Sequence, residues 1–213
     1  MITLALEGGR KLFRGDVEPG GEAYVDADWL VDRTGRTVPA LLARGGSLTR
    51  SWDGATFDYP ASTPQAGVAG AFWLVAEAAA LRAGAAERPV VEGGGVVAAL
   101  ARHLLGLTGS ADTVGADLII EPRSDRASLE KSTGRVDDLG TVVLAGVADA
   151  AFRFDLYPDV HVRGLRLVAL PLPLDLQPAA GFEPSLPPAI ELATVRIDEP
   201  IPAGASWYRI TAD

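Results

Sequence analysis

Three consecutive glycines sit between a short apolar run and a helix-forming run in Pro89-Val90-Val91-Glu92-Gly93-Gly94-Gly95-Val96-Val97-Ala98-Ala99-Leu100-Ala101, and this arrangement constrains the chain most. Glycine alone passes easily through the positive-φ conformations that a tight strand-to-helix turn requires. The stretch therefore predicts a strand over 89–92, a turn, and a helix over 96–106. Gly93-x-Gly95-x-x-Ala98 fits the G-x-G-x-x-G/A pattern in the context where it carries chemistry. There the turn admits a phosphate to the backbone, and the helix N-terminus presents free N–H groups and a positive dipole end. The same glycines also serve close packing of a helix on a strand, so both readings stay open. Glu92, just before them, places a negative charge near where a phosphate would sit.

The distance to the next strand sets the size of the fold. Ala116-Asp117-Leu118-Ile119-Ile120-Glu121 reads as a second buried strand, and only twenty residues separate it from Gly95. A parallel crossover takes about a dozen residues or more, so there is room for one helix and its return but not for a further strand. Ser124 or Asp125 then caps a short helix over about 127–133. Gly140 to Gly146 reads as a third buried strand, and a loop over 152–158 leads to a fourth at Val162–Ala169. Strand, helix, strand, helix, strand predicts a parallel α/β unit.

The flanks differ. Ile2 to Leu6 alternates and ends at Gly8-Gly9, a strand and turn. Ala23-Tyr24-Val25 and Trp29-Leu30-Val31 are short strand candidates, and Thr34 to Thr37 is a candidate turn. Leu48 to Trp52 and Thr56 to Tyr59 flank Asp53-Gly54, a strong two-residue hairpin signal. Pro64 opens a helix to about Ala83, apolar nearly all round and so expected to be buried. Residues 170–190 are proline-rich and extended. Ile190–Ile197 and Trp207–Ile210 are final strands that can return to the N-terminal β region. The expected organisation is a β-rich region, 1–61 with 185–213, and an α/β region, 62–184.

Composition narrows the function. A net charge of −9, with arginines scattered among acids, argues against nucleic acid as a partner. No cysteine is present, which excludes disulfides, thiolate catalysis and cysteine-ligated metal. The N-terminus lacks a signal-peptide pattern, and the longest apolar run, Ala66 to Leu81, carries Glu77 and is short for a membrane span. The expectation is a cytoplasmic protein with no membrane partner and no metal.

ADLIIEPRSDRASLEKSTGRVDDLGTVVLAGV, residues 116–147, resembles the second half of the nucleotide-binding domain of medium-chain dehydrogenases/reductases, the zinc alcohol dehydrogenase-like superfamily. FDLYPDVHVRGLRLVAL is similar to the segment after it in that family, and Val91 to Leu105 to its first strand, fingerprint and helix. The resemblance covers about residues 66–169. It implies a reduced Rossmann-like parallel sheet of about four strands, with a small GroES-like β-rich remnant built from the N- and C-terminal segments. It also implies a homodimer through the edge strand Val162–Ala169, while the richness in Ala, Gly, Arg and Pro suggests a GC-rich bacterial genome and so a bacterial metabolic role.

The departures matter as much. In the family a second and third strand come after the fingerprint helix, and the second ends in the residue that selects NAD or NADP at the ribose. Here the chain has no room for them. The family's catalytic zinc uses cysteine and histidine ligands, and this chain has only His103 and His161. The expectation is that NAD(P) and zinc are not used, with NAD(P)H as the alternative. The cofactor-site remnant is Gly93, Gly95 and Ala98.

The catalytic candidates are His161, Tyr157 and Glu121. Imidazole exchanges protons readily, and a neighbouring tyrosine or Arg163 can orient an oxyanion. Glu121 ends a parallel strand at the carboxyl edge, where α/β sheets bind ligands, with Gly146 beside it. Asp53, Asp58 and Tyr59 near the hairpin, Glu77 in the apolar helix and His103 are weaker candidates, each with a bland structural reading. The expected function is binding of, or a non-redox step on, a small molecule: cyclisation, isomerisation or dehydration. The alternatives are a non-catalytic partner subunit and an NAD(P)H-dependent oxidoreductase.

Overall fold

The computed structural model describes residues 2–30, 35, 37–38, 40–44, 47–52, 55–60, 75–108, 115–146, 151–170 and 191–212. The chain divides into two units, Met1–Phe72 with Pro178–Asp213, and Trp73–Gln177.

The first unit is built from β-strands. β1 (Ile2–Glu7) and β2 (Arg10–Gly15) form an antiparallel hairpin about Gly8 and Gly9, both at positive φ. β3 (Glu22–Asp26), β4 (Leu41–Arg44), β5 (Ser47–Trp52), β6 (Ala55–Pro60), β11 (Leu192–Arg196) and β12 (Trp207–Thr211) make a six-stranded sheet in the order β11-β12-β3-β4-β5-β6. Trp52 pairs with Ala55, which is the register of a two-residue hairpin; the turn residues Asp53 and Gly54 lie outside the described residues. The C-terminal strand returns to the N-terminal region, since β12 pairs antiparallel with β3. Ile2, Leu4, Phe13, Ala23, Val25, Val195, Tyr208 and Ile210 form the core. Phe13 and Tyr208 meet there with ring centroids 6.2 Å apart, and the Tyr208 hydroxyl donates to the Pro202 carbonyl at 2.6 Å.

Of the strand expected at Trp29–Val31, Trp29 and Leu30 instead end a short 3-10 helix, Ala27–Leu30, and Val31 lies outside the described residues. The Ala27 N–H, donating to the Ser206 carbonyl at 2.9 Å, continues the β3–β12 pairing by one residue before the chain turns. The Thr34–Thr37 turn falls largely outside the described residues.

The second unit carries the α/β pattern. β7 (Pro89–Val91), β8 (Ala116–Glu121), β9 (Val136–Leu144) and β10 (Arg166–Ala169) form an all-parallel sheet in the order β10-β9-β8-β7. Register aligns Val90, Ile119 and Val142 on one face, where they pack with Leu129, Val136 and Leu165. Val91, Ile120 and Val143 align on the other face and are also buried. Burial of both faces is the rule for parallel sheets and explains the unbroken apolar runs. The expected mixed α/β fold, a four-stranded parallel sheet with separate β-rich sheets, is the observed one.

The helices described in this unit are α1 over residues 75–83, α2 (Gly95–Leu104) and α3 (Arg126–Arg135). Asp125 caps α3, accepting the Ser128 N–H at 2.9 Å. In α1, Val75, Ala76, Ala79 and Ala83 are buried, while Glu77, Leu81 and Arg82 are exposed. The expectation of burial all round is corrected: this stretch is amphipathic, and Glu77 is solvated. No helix among the described residues is long and apolar enough to cross a membrane.

β10 is shorter than the expected Val162–Ala169. Tyr157–His161 form one π-helical turn and residues 162–164 a further turn, with Gly164 at φ +64. The chain enters the sheet only at Arg166.

Glycine has opposite consequences at two sites. A Cβ on Gly146 would overlap the backbone carbonyl of Pro122, because the end of β9 lies directly on the turn after β8. Gly134 lies in α3 with nothing within 4 Å of such a Cβ. Gly146→Ala is expected to destabilise by about 3 kcal/mol through forced backbone movement. Gly134→Ala is expected to stabilise by about 0.5–1 kcal/mol through helix propensity. Urea midpoints of the two variants check both.

Candidate functional site

The glycine turn is a local consequence of its sequence. Gly93 and Gly95 adopt φ of +65 and +81, and Gly94 is the extended N-cap of α2 with no side-chain cap. A Cβ at Gly93 would meet only Pro122 Cγ at 3.7 Å, an ordinary contact, so backbone conformation rather than space requires glycine there. Ala98 is fully buried against the sheet. Glu92, just before the turn, is 7% exposed and paired with Lys131 at 2.8 Å and with Arg135, both from α3. Arg102, two turns into α2, reaches back and donates to the carbonyls of Val91, at 2.8 Å, and Gly93.

The carboxyl ends of β8 and β9 are stitched together beside this turn. Glu121 is 1% exposed. Its carboxylate accepts the backbone N–H groups of Arg123, at 2.9 Å, and Ser124. Burial raises its pKa above the usual carboxylate range, opposed by those two donors and by Ser128, and reinforced by the charge of Asp125. Ser124 is held at φ +54, and its Oγ accepts the Gly146 N–H at 3.2 Å. The Ala145 N–H donates to the Glu121 carbonyl at 2.8 Å. The ends of β8 and β9 therefore meet backbone to backbone.

Tyr157 and His161 come together on the π-helical turn, stacked at 5.4 Å between centroids with an interplanar angle of 16°, and both are exposed. This turn leads into the start of β10, which pairs with Thr141, and the Leu139 N–H donates to the Arg163 carbonyl. The pair thus lies at the amino edge of the sheet. Glu121 ends β8 at the carboxyl edge, and a six-residue strand spans about 16 Å. The structure assembles two of the three catalytic candidates and leaves Glu121 at the other end. Arg163 is occupied: it donates to Asp138 at 2.7 Å and to the carbonyls of Thr133 and Val136. It clamps the junction of α3 and β9 and does not orient an oxyanion beside His161.

His103 is exposed on α2. Asp53 and the side chains of Asp58 and Tyr59 lie outside the described residues. No group of three His, Asp or Glu residues able to hold a metal ion occurs among the described residues.

Sequence reasoning missed a polar cluster in the first unit. On β3, Glu22 accepts the Tyr24 hydroxyl at 2.5 Å and pairs with Arg209 of β12. Tyr24 is 1% exposed, and burial pushes its pKa up to about 12. Its proton is thereby held on the hydroxyl, and Glu22 ties β3 to β12 through Tyr24 and Arg209, although the buried Arg209 Nε finds no hydrogen-bond partner among the described residues. Alternation of Glu22, Tyr24 and Asp26 was the available signal, because it gives β3 a polar second face.

No protein-family model matches the chain, and no curated protein matches it. Solved structures do resemble it. Galactitol-1-phosphate dehydrogenase from Escherichia coli is 11% identical, with 92% of each chain covered and a TM-score of 0.45. Glucose dehydrogenase from Haloferax mediterranei is 12% identical, with 99% of each chain covered and a TM-score of 0.42. TarJ from S. aureus in complex with NADPH is 9% identical, with 79% of each chain covered and a TM-score of 0.40.

Because Glu121 binds protons more tightly folded than unfolded, its contribution to stability falls as pH rises from about 4.3 through its raised folded-state value. Glu121→Gln removes this titration. The stability of the natural protein minus that of the variant, from urea unfolding across pH, is expected to decline over that window and then level off. Parallel curves would contradict the assignment.

Proposed function

We propose that this chain is a dehydrogenase-fold protein that does not use a dinucleotide and that binds a small molecule for a non-redox step such as cyclisation, isomerisation or dehydration. One observation carries the reading. β7 leads through α2 directly to its sheet neighbour β8, and among the described residues no strand lies outside β7. A dinucleotide fold places there the strand whose final residue binds the adenosine ribose. The described residues offer nothing in that position to hold the adenosine half of NAD(P). His161 and Tyr157 are the groups for acid–base work, because they are adjacent, exposed and able to pass a proton.

Titration of the protein with NADPH and with NADH, followed by nucleotide fluorescence and by melting temperature, tests the first part. No saturable change is expected. A shift of about 2–3 kcal/mol in stability at a hundredfold excess over the dissociation constant would overturn the reading. Once a substrate is found, His161→Ala and Tyr157→Phe are each expected to lower kcat by about 10²-fold or more if the pair performs acid–base work. Unchanged turnover in both removes them from the site.

A second reading is favoured by the surface next to β10. Leu139, Leu156, Tyr157 and Val162 are each more than half exposed, and Leu139 holds φ +67. Large exposed apolar side chains gathered near a sheet edge suit association. In this reading the chain is a partner subunit, or a homodimer through the 162–169 segment. Val162→Asp is expected to lower the association constant in sedimentation equilibrium at least tenfold; an unchanged mass distribution would count against it.

A further inference from the structure

β7 is a three-residue strand at the margin of the parallel sheet, and among the described residues nothing pairs with its outer side. An exposed strand margin presents unmatched N–H and C=O groups to any passing strand, and proteins blunt such margins with short length, proline and charge. All three devices occur here.

The hydrogen-bond pattern identifies the groups that face outward. The Glu92 N–H donates inward to the Ile120 carbonyl at 2.9 Å. Polar groups of successive residues in a parallel strand alternate between its two sides. Val90 and Glu92 therefore address β8, while Pro89 and Val91 address the outside. Pro89 has no N–H to offer an incoming strand. The Val91 carbonyl, the outward acceptor, is taken by Arg102 at 2.8 Å, and the same guanidinium group binds the Gly93 carbonyl at the start of the turn. A strand docking on this side would have to displace a guanidinium ion from two carbonyls, and it would find no donor at Pro89.

We propose that Arg102 guards this edge: it occupies the outward carbonyl of Val91, which a fifth strand would use, and with Pro89, which has no outward N–H, it disfavours pairing on the outer side of β7. This role goes beyond the proposed function and does not depend on what the protein binds. It also makes the two margins of the sheet unlike, because β10 carries no such clamp on its outer side among the described residues.

The test opens the edge in steps. Arg102→Met keeps the length and apolar stem of the side chain and removes the donors. Pro89→Val restores an outward N–H. Sedimentation velocity across a concentration series, together with hydrogen exchange at the Val91 amide, reads the result. Arg102→Met is expected to raise the weight-average mass above that of the natural protein at equal concentration, and the double variant is expected to raise it further. Val91 exchange should slow as mass rises, since a docked strand protects it. Val195→Ala, a core truncation in the other unit, controls for destabilisation and is expected to keep the natural mass. Natural mass and unchanged Val91 exchange in both edge variants, while circular dichroism shows them folded, would overturn the proposal. Association of Val195→Ala to the same degree would also overturn it. If Arg102→Met does not fold, Arg102→Lys, whose single ammonium group satisfies the two carbonyls less well, is expected to show an intermediate rise; natural mass in that variant counts against the proposal.

Discussion

β8 carries a carboxylate near each end, and each takes two backbone N–H groups of an adjoining turn. Asp117 accepts from Glu87 at 2.7 Å and from Arg88 at 2.9 Å, which fixes the chain as it enters β7. Glu121 accepts from Arg123 and Ser124, which fixes the chain as it leaves for α3. The ends of a parallel strand deliver the chain into turns whose donors no ladder can satisfy, so these acids stand where the backbone most needs acceptors. Their surroundings set opposite electrostatic outcomes. Burial pushes Asp117 up, but the donors of Glu87 and Arg88 outweigh it, and the carboxylate lies below its usual range. Glu121 is so thoroughly buried that desolvation prevails over similar donors. Arg88 extends the amino-edge tie across the sheet by donating to Gly115 and pairing with Asp137 at 2.6 Å. The order β7-β8-β9 is therefore held from both ends of its middle strand.

Local pattern is enough to read these strands. Val90-Val91, Leu118-Ile119-Ile120 and Val142-Val143 are apolar because both faces are buried, and that requirement acts on each strand separately. The Asp53-Gly54 pairing signal and the Asp125 cap are equally local. Features that escape the sequence depend on partners far along the chain. Where β3 ends before the 3-10 turn that holds Trp29 depends on its pairing with residues 206–211, about 180 residues later. Val162 and Arg163 have the pattern of a strand, yet Arg163 is drawn onto the end of α3 and the start of β9 some 25 to 30 residues earlier. The ion pairs of Glu92 span 39 and 43 residues. Periodicity carries no information about such side-chain reach, so boundaries and charge partners are lost where element identity is not.

The same limit explains how the candidate site divides. Tyr157 and His161 are four residues apart on one turn, a proximity that sequence can foresee. Glu121 joins them as a candidate only because it ends a strand at the edge where ligands usually bind. The strand that the His161 turn feeds begins at the opposite edge, so the chain direction of a parallel sheet separates the groups by a full strand length. Any chemistry at the carboxyl edge must draw on the glycine turn and its neighbours, and any chemistry at the amino edge on the stacked pair.

At the glycine turn, geometry and charge lead to different conclusions. Positive φ at Gly93 and Gly95 is needed to pass from β7 into α2 whether or not an anion is present, so the fingerprint does not separate ligand binding from packing. Charge is more discriminating. On sequence alone Glu92 stands against an anion, but its carboxylate is compensated by Lys131 and Arg135, which removes that repulsion. Arg102 adds a further positive group whose donors are directed at the turn's own carbonyls. The turn is thus electrostatically open to an anion while its margin is spent on self-closure. On the proposed reading, a ligand held there is met by backbone N–H groups at the start of α2, while Arg102 holds the turn's own carbonyls beside it.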